Sequence, residues 1–318
     1  MILYIVRLKL KDFRKILIIF FSILVVSSSI FFISLKNKKV STRAEEEKKF
    51  IKYVEFNPTY ESLKLSMKED IKSHNSANER KISWINILSY LATKYGGNFD
   101  RYKKSDIENY VKEFDSGTNP EDKLENSKLF NYYMEAYGAI LGGFLGEIEY
   151  KNSSGEIVKT YGLKNKFPIK KGYSFTHYDD FGARRTFGYS RPHLGHDIFC
   201  AVGTPVVAVE DGYVEIMGWN RFGGWRIGIR SHDKKRYWYY AHLRKNKPYN
   251  PDLKEGKNVQ AGEIIGFAGK TGYSSKENVN NIKRSHLHLG LQIIFDESQK
   301  DSPNEIWISL NNITKILD

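Results

Sequence analysis

The chain has 318 residues, enough for two domains with a core each, and 41% of it is hydrophobic. Its formal charge is +13, but residues 1–40 hold eight Lys and Arg against the single Asp12. Over half of the excess therefore flanks an apolar segment, and no basic, aromatic-laced face or known module points to nucleic acid as a partner. The single cysteine, Cys200, excludes an intrachain disulfide.

Residues 16–35 are an apolar run whose only polar members are serines, long enough to cross a bilayer core. Arg7, Lys9, Lys11, Arg14 and Lys15 precede it, and Lys36, Lys38 and Lys39 follow. The run exceeds the apolar stretch of a signal peptide, and no small-x-small site follows Leu35. The expectation is an uncleaved transmembrane helix at 16–35, a cytoplasmic tail at 1–15, and everything after Lys36 extracytoplasmic.

From residue 41 to about 149 the pattern is helical, within an all-α middle domain placed at 36–160. Trp84, Ile87, Leu88 and Leu91 recur at helical spacing, and Gly96-Gly97 closes that stripe as a C-cap. Ser105-Asp-Ile-Glu108 reads as a capping box ahead of Ile107, Tyr110, Val111 and Phe114. Tyr133, Tyr137, Ile140, Leu141 and Phe144 form a further stripe. About four or five helices are expected, with these aromatics as core rather than a glycan-binding face. His74 reads as a lone surface histidine. A turn-rich stretch at 151–155 marks the boundary to an all-β C-terminal domain, placed at 161–318.

In that domain, runs at 205–209 and 213–217 flank Asp211-Gly212, a hairpin signal. Further strands are expected at 225–230, 237–240, 264–267 and 287–295, giving an antiparallel sheet or sandwich, with a short strand or helix in 306–317.

The chemistry lies in His193-Leu-Gly-His196-Asp197, Tyr240-Ala-His242 and His286-Leu-His288. Alternate residues of a strand share a face, so His286 and His288 point the same way, as do His193 and Asp197, while His196 and Cys200 point oppositely. The same parity puts His242 with Tyr240 and Trp238. Two histidines and a carboxylate on divalent zinc leave a position for water, the open arrangement of a catalytic site. No His-Glu-x-x-His helix supplies a glutamate, so a general base here must be a histidine. Each histidine alone is as well read as an ordinary core residue; it is the ensemble that argues for a metal.

Further motifs accompany these: Phe181-Gly-Ala-Arg184, Gly203-Thr-Pro-Val206, Asp211-Gly212-x-Val214, Gly256-x-x-Val259, Ile265-Gly266 and Thr271-Gly272. In this order they make residues 167–295 resemble the lysostaphin and LytM type of zinc metallopeptidase. The resemblance implies a groove on a β-sheet of the duplicated-hybrid-motif kind, one zinc ion, and hydrolysis of peptide bonds in bacterial cell-wall peptidoglycan by a zinc-activated water. Carried over by position, His193, Asp197 and His288 are the metal ligands. His286 corresponds to the catalytic general base and His242 to its partner at the developing oxyanion, though which histidine takes which part stays open. Arg184 either orients substrate or braces a loop. Residues 274–285 are a polar insertion expected to rim the groove, and the helical domain either covers the groove or positions it. The rival reading is a catalytically silent scaffold or activator of another wall hydrolase, which the complete ligand set disfavours.

Overall fold

The computed structural model describes residues 50–318. The expected tail and membrane helix at 1–35 lie outside the described residues, and no helix among the described residues is long and apolar enough to cross a membrane.

Helix α1 (Tyr60–His74) is capped by Thr59, whose hydroxyl accepts from the Ser62 amide. Helix α2 (Trp84–Tyr95) ends at Gly96 with φ +60°, a left-handed cap that glycine adopts without strain. Helix α3 (Lys104–Asp115) differs from expectation: it starts ahead of Ser105, and no side chain caps it. Glu108 instead pairs with Lys104 at 3.1 Å, and Asp106 accepts from Lys94 at 2.8 Å, tying the first turn of α3 to the end of α2. Helix α4 (Lys128–Leu141) carries the last aromatic stripe, with Tyr133, Tyr137, Ile140 and Leu141 buried. His74 is not a lone residue: it lies 2.9 Å from Asp70 and stacks on Tyr161.

The helical pattern stops earlier than expected. Strands β1 (Leu145–Lys151) and β2 (Ile157–Leu163) form an antiparallel hairpin where helix and then a boundary were anticipated. The Asn152 side chain accepts from the Ser154 and Glu156 amides and so closes the turn.

The remaining strands are β3 (Phe175–Tyr178), β4 (Arg184–Arg185), β5 (Arg191–Pro192), β6 (His196–Cys200), β7 (Pro205–Val207), β8 (Gly212–Asn220) and β9 (Gly224–Ser231). They continue with β10 (Arg236–Ala241), β11 (Asn258–Val259), β12 (Ile264–Phe267), β13 (His286–Ile293) and β14 (Ile306–Trp307), before helix α5 (Asn311–Leu317). An antiparallel sheet runs β11-β8-β9-β10-β13-β6-β3, with β14 also on β13. The hairpin expected across Asp211-Gly212 does not form. β7 pairs with β12 in a separate small sheet, whereas β8 pairs with β9 and β11. Gly212 is required for space, since a Cβ there would strike the Arg230 carbonyl, and Asp211 accepts from the Ala261 amide at 2.8 Å.

One face of this sheet, with Ile227, Ile229, Trp238 and Tyr240, is fully buried and continuous with the helical core. Phe144 packs on Trp238, and Arg236 donates to the Ala139 carbonyl at 2.8 Å. Residues 51–318 are accordingly one compact unit, within which the expected 160/161 division separates helical from β-rich sequence. The helices back the sheet. None of residues 50–167 lines the cleft on its other face, so among the described residues the helical region does not cover the groove.

Candidate metal centre and cleft

On the open face, a cleft of about 1270 Å³ is lined by residues from β3, β4, β5, β6, β8, β9, β10, β13 and β14 and from their connecting loops. At one place along it three donors converge. His193 Nε2 lies 2.8 Å from His288 Nδ1 and 3.1 Å from Asp197 Oδ1, which is itself 3.1 Å from His288 Nδ1. Among the described residues this is the group that could hold a metal ion.

Each donor arrives by a different route. Asp197 and His288 are cross-strand partners on β6 and β13, so the sheet register itself sets them side by side. His193 precedes β6, so strand parity does not place it. Its amide donates to the Ala183 carbonyl at 2.8 Å and its carbonyl accepts from Gly182 at 2.7 Å, while β4 and β5 pair beside it. The Phe181-Gly-Ala-Arg184 motif is thus the clamp on His193. Gly195 is needed for clearance, because a side chain there would enter the space of the His288 ring.

The three donors fit a small cation. Nitrogen and carboxylate ligands at about 2.0–2.2 Å from a tetrahedral zinc stand roughly 3.3 Å apart, close to the observed triangle. The other nitrogen of His193, Nδ1, faces Asp180, 2.8 Å from Oδ1 and 3.2 Å from the main-chain carbonyl. With its proton there, the Nε2 lone pair is turned into the triangle. Burial alone would raise the Asp197 pKa, but the contacts with His193 and His288, and the charge that His288 and His286 carry when protonated, outweigh it and hold the carboxyl far below its usual range. Burial, opposed by the bond to Asp197, lowers His288. Both shifts keep the triangle in its ligating protonation state.

The other two expected residues flank it. His286 Nε2 is 3.7 Å from Asp197 Oδ1, and its Nδ1 meets the Arg284 carbonyl at 2.8 Å. His242 Nδ1 meets the Thr271 carbonyl at 2.8 Å, and the His242 ring lies 4.8 Å from that of His286. A carbonyl only accepts, so both rings carry the proton on Nδ1 and present a bare Nε2 when neutral. Burial pushes the His242 pKa well down, with the neighbouring His286 and His288 acting in the same direction.

The parity expectation for His242 is corrected here. Tyr240 and Trp238 face the core, whereas His242 follows the end of β10 with φ +60° and turns onto the cleft face. A left-handed non-glycine residue is held only where its surroundings insist; here the His242 amide donates to Gly223 and Leu243 to Trp225. His196 lies on the reverse face as expected, 2.9 Å from His177, its pKa lowered to about 4 by burial. Arg184 is exposed and braces the loop through Ser190. Its neighbour Arg185 faces the site, paired with Asp180 and 3.5 Å from Asp197. Neither Asp180 nor Arg185 has a spacing that marks it in the sequence. The insertion supplies Asn281, Ile282, Lys283 and Arg284 to the cleft rim.

Residues 191–302 match the family described as Peptidase family M23. These residues are an M23 peptidase domain. An L-Ala–D-Glu endopeptidase of Bacillus subtilis is 37% identical over 167 residues, 51% of this chain and 47% of that protein. The glycyl-glycine endopeptidase ALE-1 of Staphylococcus capitis is 42% identical over 89 residues, 28% of this chain and 23% of that one. This chain therefore spans about half or less of the length of these curated relatives. The crystal structure of the lytM protein of Ruminococcus gnavus, 22% identical, superposes with a TM-score of 0.53 over 81% of this chain and 87% of that chain. That likeness concerns the fold, and it extends well beyond the M23 segment.

Proposed function

We propose that this protein is a zinc metalloendopeptidase that hydrolyses peptide bonds of bacterial cell-wall peptidoglycan, held to the membrane by residues 16–35 with its M23 domain outside. The observation that carries the reading is the triangle of His193 Nε2, Asp197 Oδ1 and His288 Nδ1, with two further histidine nitrogens beside it in one cleft. The names of relatives such as the L-Ala–D-Glu and glycyl-glycine endopeptidases support a wall peptide as substrate. Those names divide between bonds, so the choice of bond falls to the residues lining this cleft.

His193, Asp197 and His288 would hold one zinc ion, which when bound supplies Lewis acidity for a scissile carbonyl and acidifies a water. The chain's own residues do the rest. His286, with Nδ1 tied to the Arg284 carbonyl, offers Nε2 to take the proton of the attacking water. His242 is held neutral by burial with a bare Nε2, so it would stabilise the oxyanion only after the water's proton is passed to it from His286, whose ring lies 4.8 Å away. The Asp180 main-chain carbonyl, the acceptor for His193 Nδ1, fixes the tautomer of that ring.

The purified full-length chain should carry close to one zinc per molecule and should release new amino termini from wall material, and His286→Ala should abolish that release while keeping the zinc. A chain that stays metal-free in zinc-replete buffer and leaves wall peptides intact would overturn the reading.

A further inference from the structure

The cleft holds an arginine whose buried Nε meets no acceptor among the described residues. The other arginines of this sheet and Arg185 beside the triangle are neutralised, while Arg191 and Arg284 of the cleft lie over the Phe222 and Phe199 rings. Arg230 is bonded to Glu215 and the Lys234 carbonyl, Arg236 to Glu210, Asp233 and the Ala139 carbonyl, and Arg185 to Asp180. Arg226 lines the same cleft; among the described residues it has no carboxylate partner, and its Nε is buried without any acceptor. A buried charged donor left unsatisfied is expensive to keep in a folded protein, and such exceptions call for a reason.

Its position supplies one. On β9, Arg226 immediately precedes Ile227, the partner of Tyr240, and so in this antiparallel pair stands level with Ala241 on β10; Ala241 pairs with His288 and His288 with Asp197. Arg226 therefore lies on the same transverse row as two of the metal donors, two strand spacings from His288, or about 10 Å between Cα atoms. A second donor in the cleft is also unused. Gln292 is 2% exposed, lines the cleft from β13, and its Nε2 has no partner among the described residues. Two buried donors without acceptors face a space whose ligand must bring acceptors with it.

We infer that Arg226 is a specificity-determining residue that binds a carboxylate of the peptide substrate, within about three extended residues of the cleaved bond, at roughly 3.3 Å per residue. The ligand class is an acidic peptide, and the guanidinium fork suits a carboxylate in a bidentate pair. Gln292 Nε2 adds a donor for a second acceptor of the same chain. This inference rests on the peptidase reading of the cleft for its orientation, but not for the existence of the anion site.

The test compares wall peptide fragments bearing free carboxylates with the same fragments after conversion of those groups to carboxamides. Full-length wild-type protein should cleave the acidic form with kcat/KM about 10–100-fold above the amide form, the worth of a charge-assisted pair. Arg226→Gln should bring that ratio to about one, and Arg226→Lys, which keeps the charge but loses the fork, should fall between. A preference that survives in Arg226→Gln, or a wild-type protein that shows none, would overturn the assignment. If the wild type cleaves neither form, the peptidase reading fails instead. Calorimetric binding of the two forms to the His286→Ala chain, with and without Arg226→Gln, then decides the carboxylate site by the same ratio of Kd values.

Discussion

Asp180 offers the sharpest test of how the metal triangle is held. Two oxygens of this one residue face His193 Nδ1: the main-chain carbonyl, which takes the hydrogen bond at 3.2 Å, and the carboxylate Oδ1, which lies 2.8 Å away as an ion-pair contact without a hydrogen-bond partner among the described residues. Removing an outer partner of a metal-bound histidine typically costs about 10–100-fold in metal affinity, or roughly 1.4–2.8 kcal/mol. Asp180→Ala keeps the carbonyl, which argues for the lower half of that range, about 10–30-fold. A second consequence adds to it. Arg185 is paired with Asp180 and lies 3.5 Å from Asp197 Oδ2; without Asp180 its charge falls on Asp197 alone and competes with the ion for that carboxylate. Asp180→Asn retains an acceptor of the same shape and should lose less, about threefold. The assay is competition for zinc against a chromogenic chelator at fixed pH, on the full-length chain. If Asp180→Ala binds zinc within twofold of the wild type, the carboxylate does not support His193 and the main-chain carbonyl alone holds its tautomer.

Three further outcomes follow from the packing. Gly195→Ala puts a methyl group where the His288 ring lies, so zinc stoichiometry should fall sharply while far-UV circular dichroism stays native; full zinc content would show that the ring has room to move. Arg236→Ala strands the buried Glu210 carboxylate and should destabilise the fold by about 3–5 kcal/mol in urea titrations, whereas a loss under 1 kcal/mol would mean water reaches Glu210. Burial alone would raise the pKa of Glu215, but hydrogen bonds from Arg230 and Lys300 and their charges hold it below the usual range. A depressed carboxyl adds stability that is complete above the unfolded pKa, about 4.3, and is lost as pH falls through the lower folded value. Glu215→Gln should therefore flatten the acid decline of Tm below about pH 4.3, and an unchanged decline would assign that limb to other groups.

What could be read from the sequence was whatever depends on local periodicity. The parity of His286 and His288, the reverse-facing His196 and the stripes of α2 and α4 all emerge as read, because a strand or a helix imposes its repeat on every residue within it. Legibility failed where a tertiary contact overrides the repeat. His242 leaves the β10 pattern through a left-handed backbone held by Gly223 and Thr271, so its face could not be counted from Tyr240. Asp211-Gly212 has the composition of a turn, yet the glycine serves the close approach of Arg230. The Ser105 capping box lost to Asp106, which Lys94 and Tyr95 recruit from α2. Asp180 and Arg185 reach the site from a loop of no regular period, and only the closing of β4 on β5 brings them there.

The division of labour between the two faces of the sheet explains why the site can be both rigid and adaptable. Its floor is carried by β13, which has β10 on one side and β6 and β14 on the other, and whose Leu287, Leu289 and Leu291 are fully buried. His286 and His288 alternate with these leucines, so moving either imidazole would also displace core side chains, and a close-packed core resists that. The helical layer completes the packing behind Trp238 and fastens it through Arg236. The walls are different: His193, His242 and residues 281–284 come from loops held by main-chain hydrogen bonds and aromatic stacking, such as Phe187 on Tyr273. Fixed chemistry on the strands and variable contacts on the loops is an arrangement in which substrate preference can change without disturbing the metal donors. Arg226 sits on the rigid part. A carboxylate requirement set there would persist through changes in the loops, so variants within 274–285 should alter KM for wall peptides while leaving the ratio between acidic and amidated forms intact.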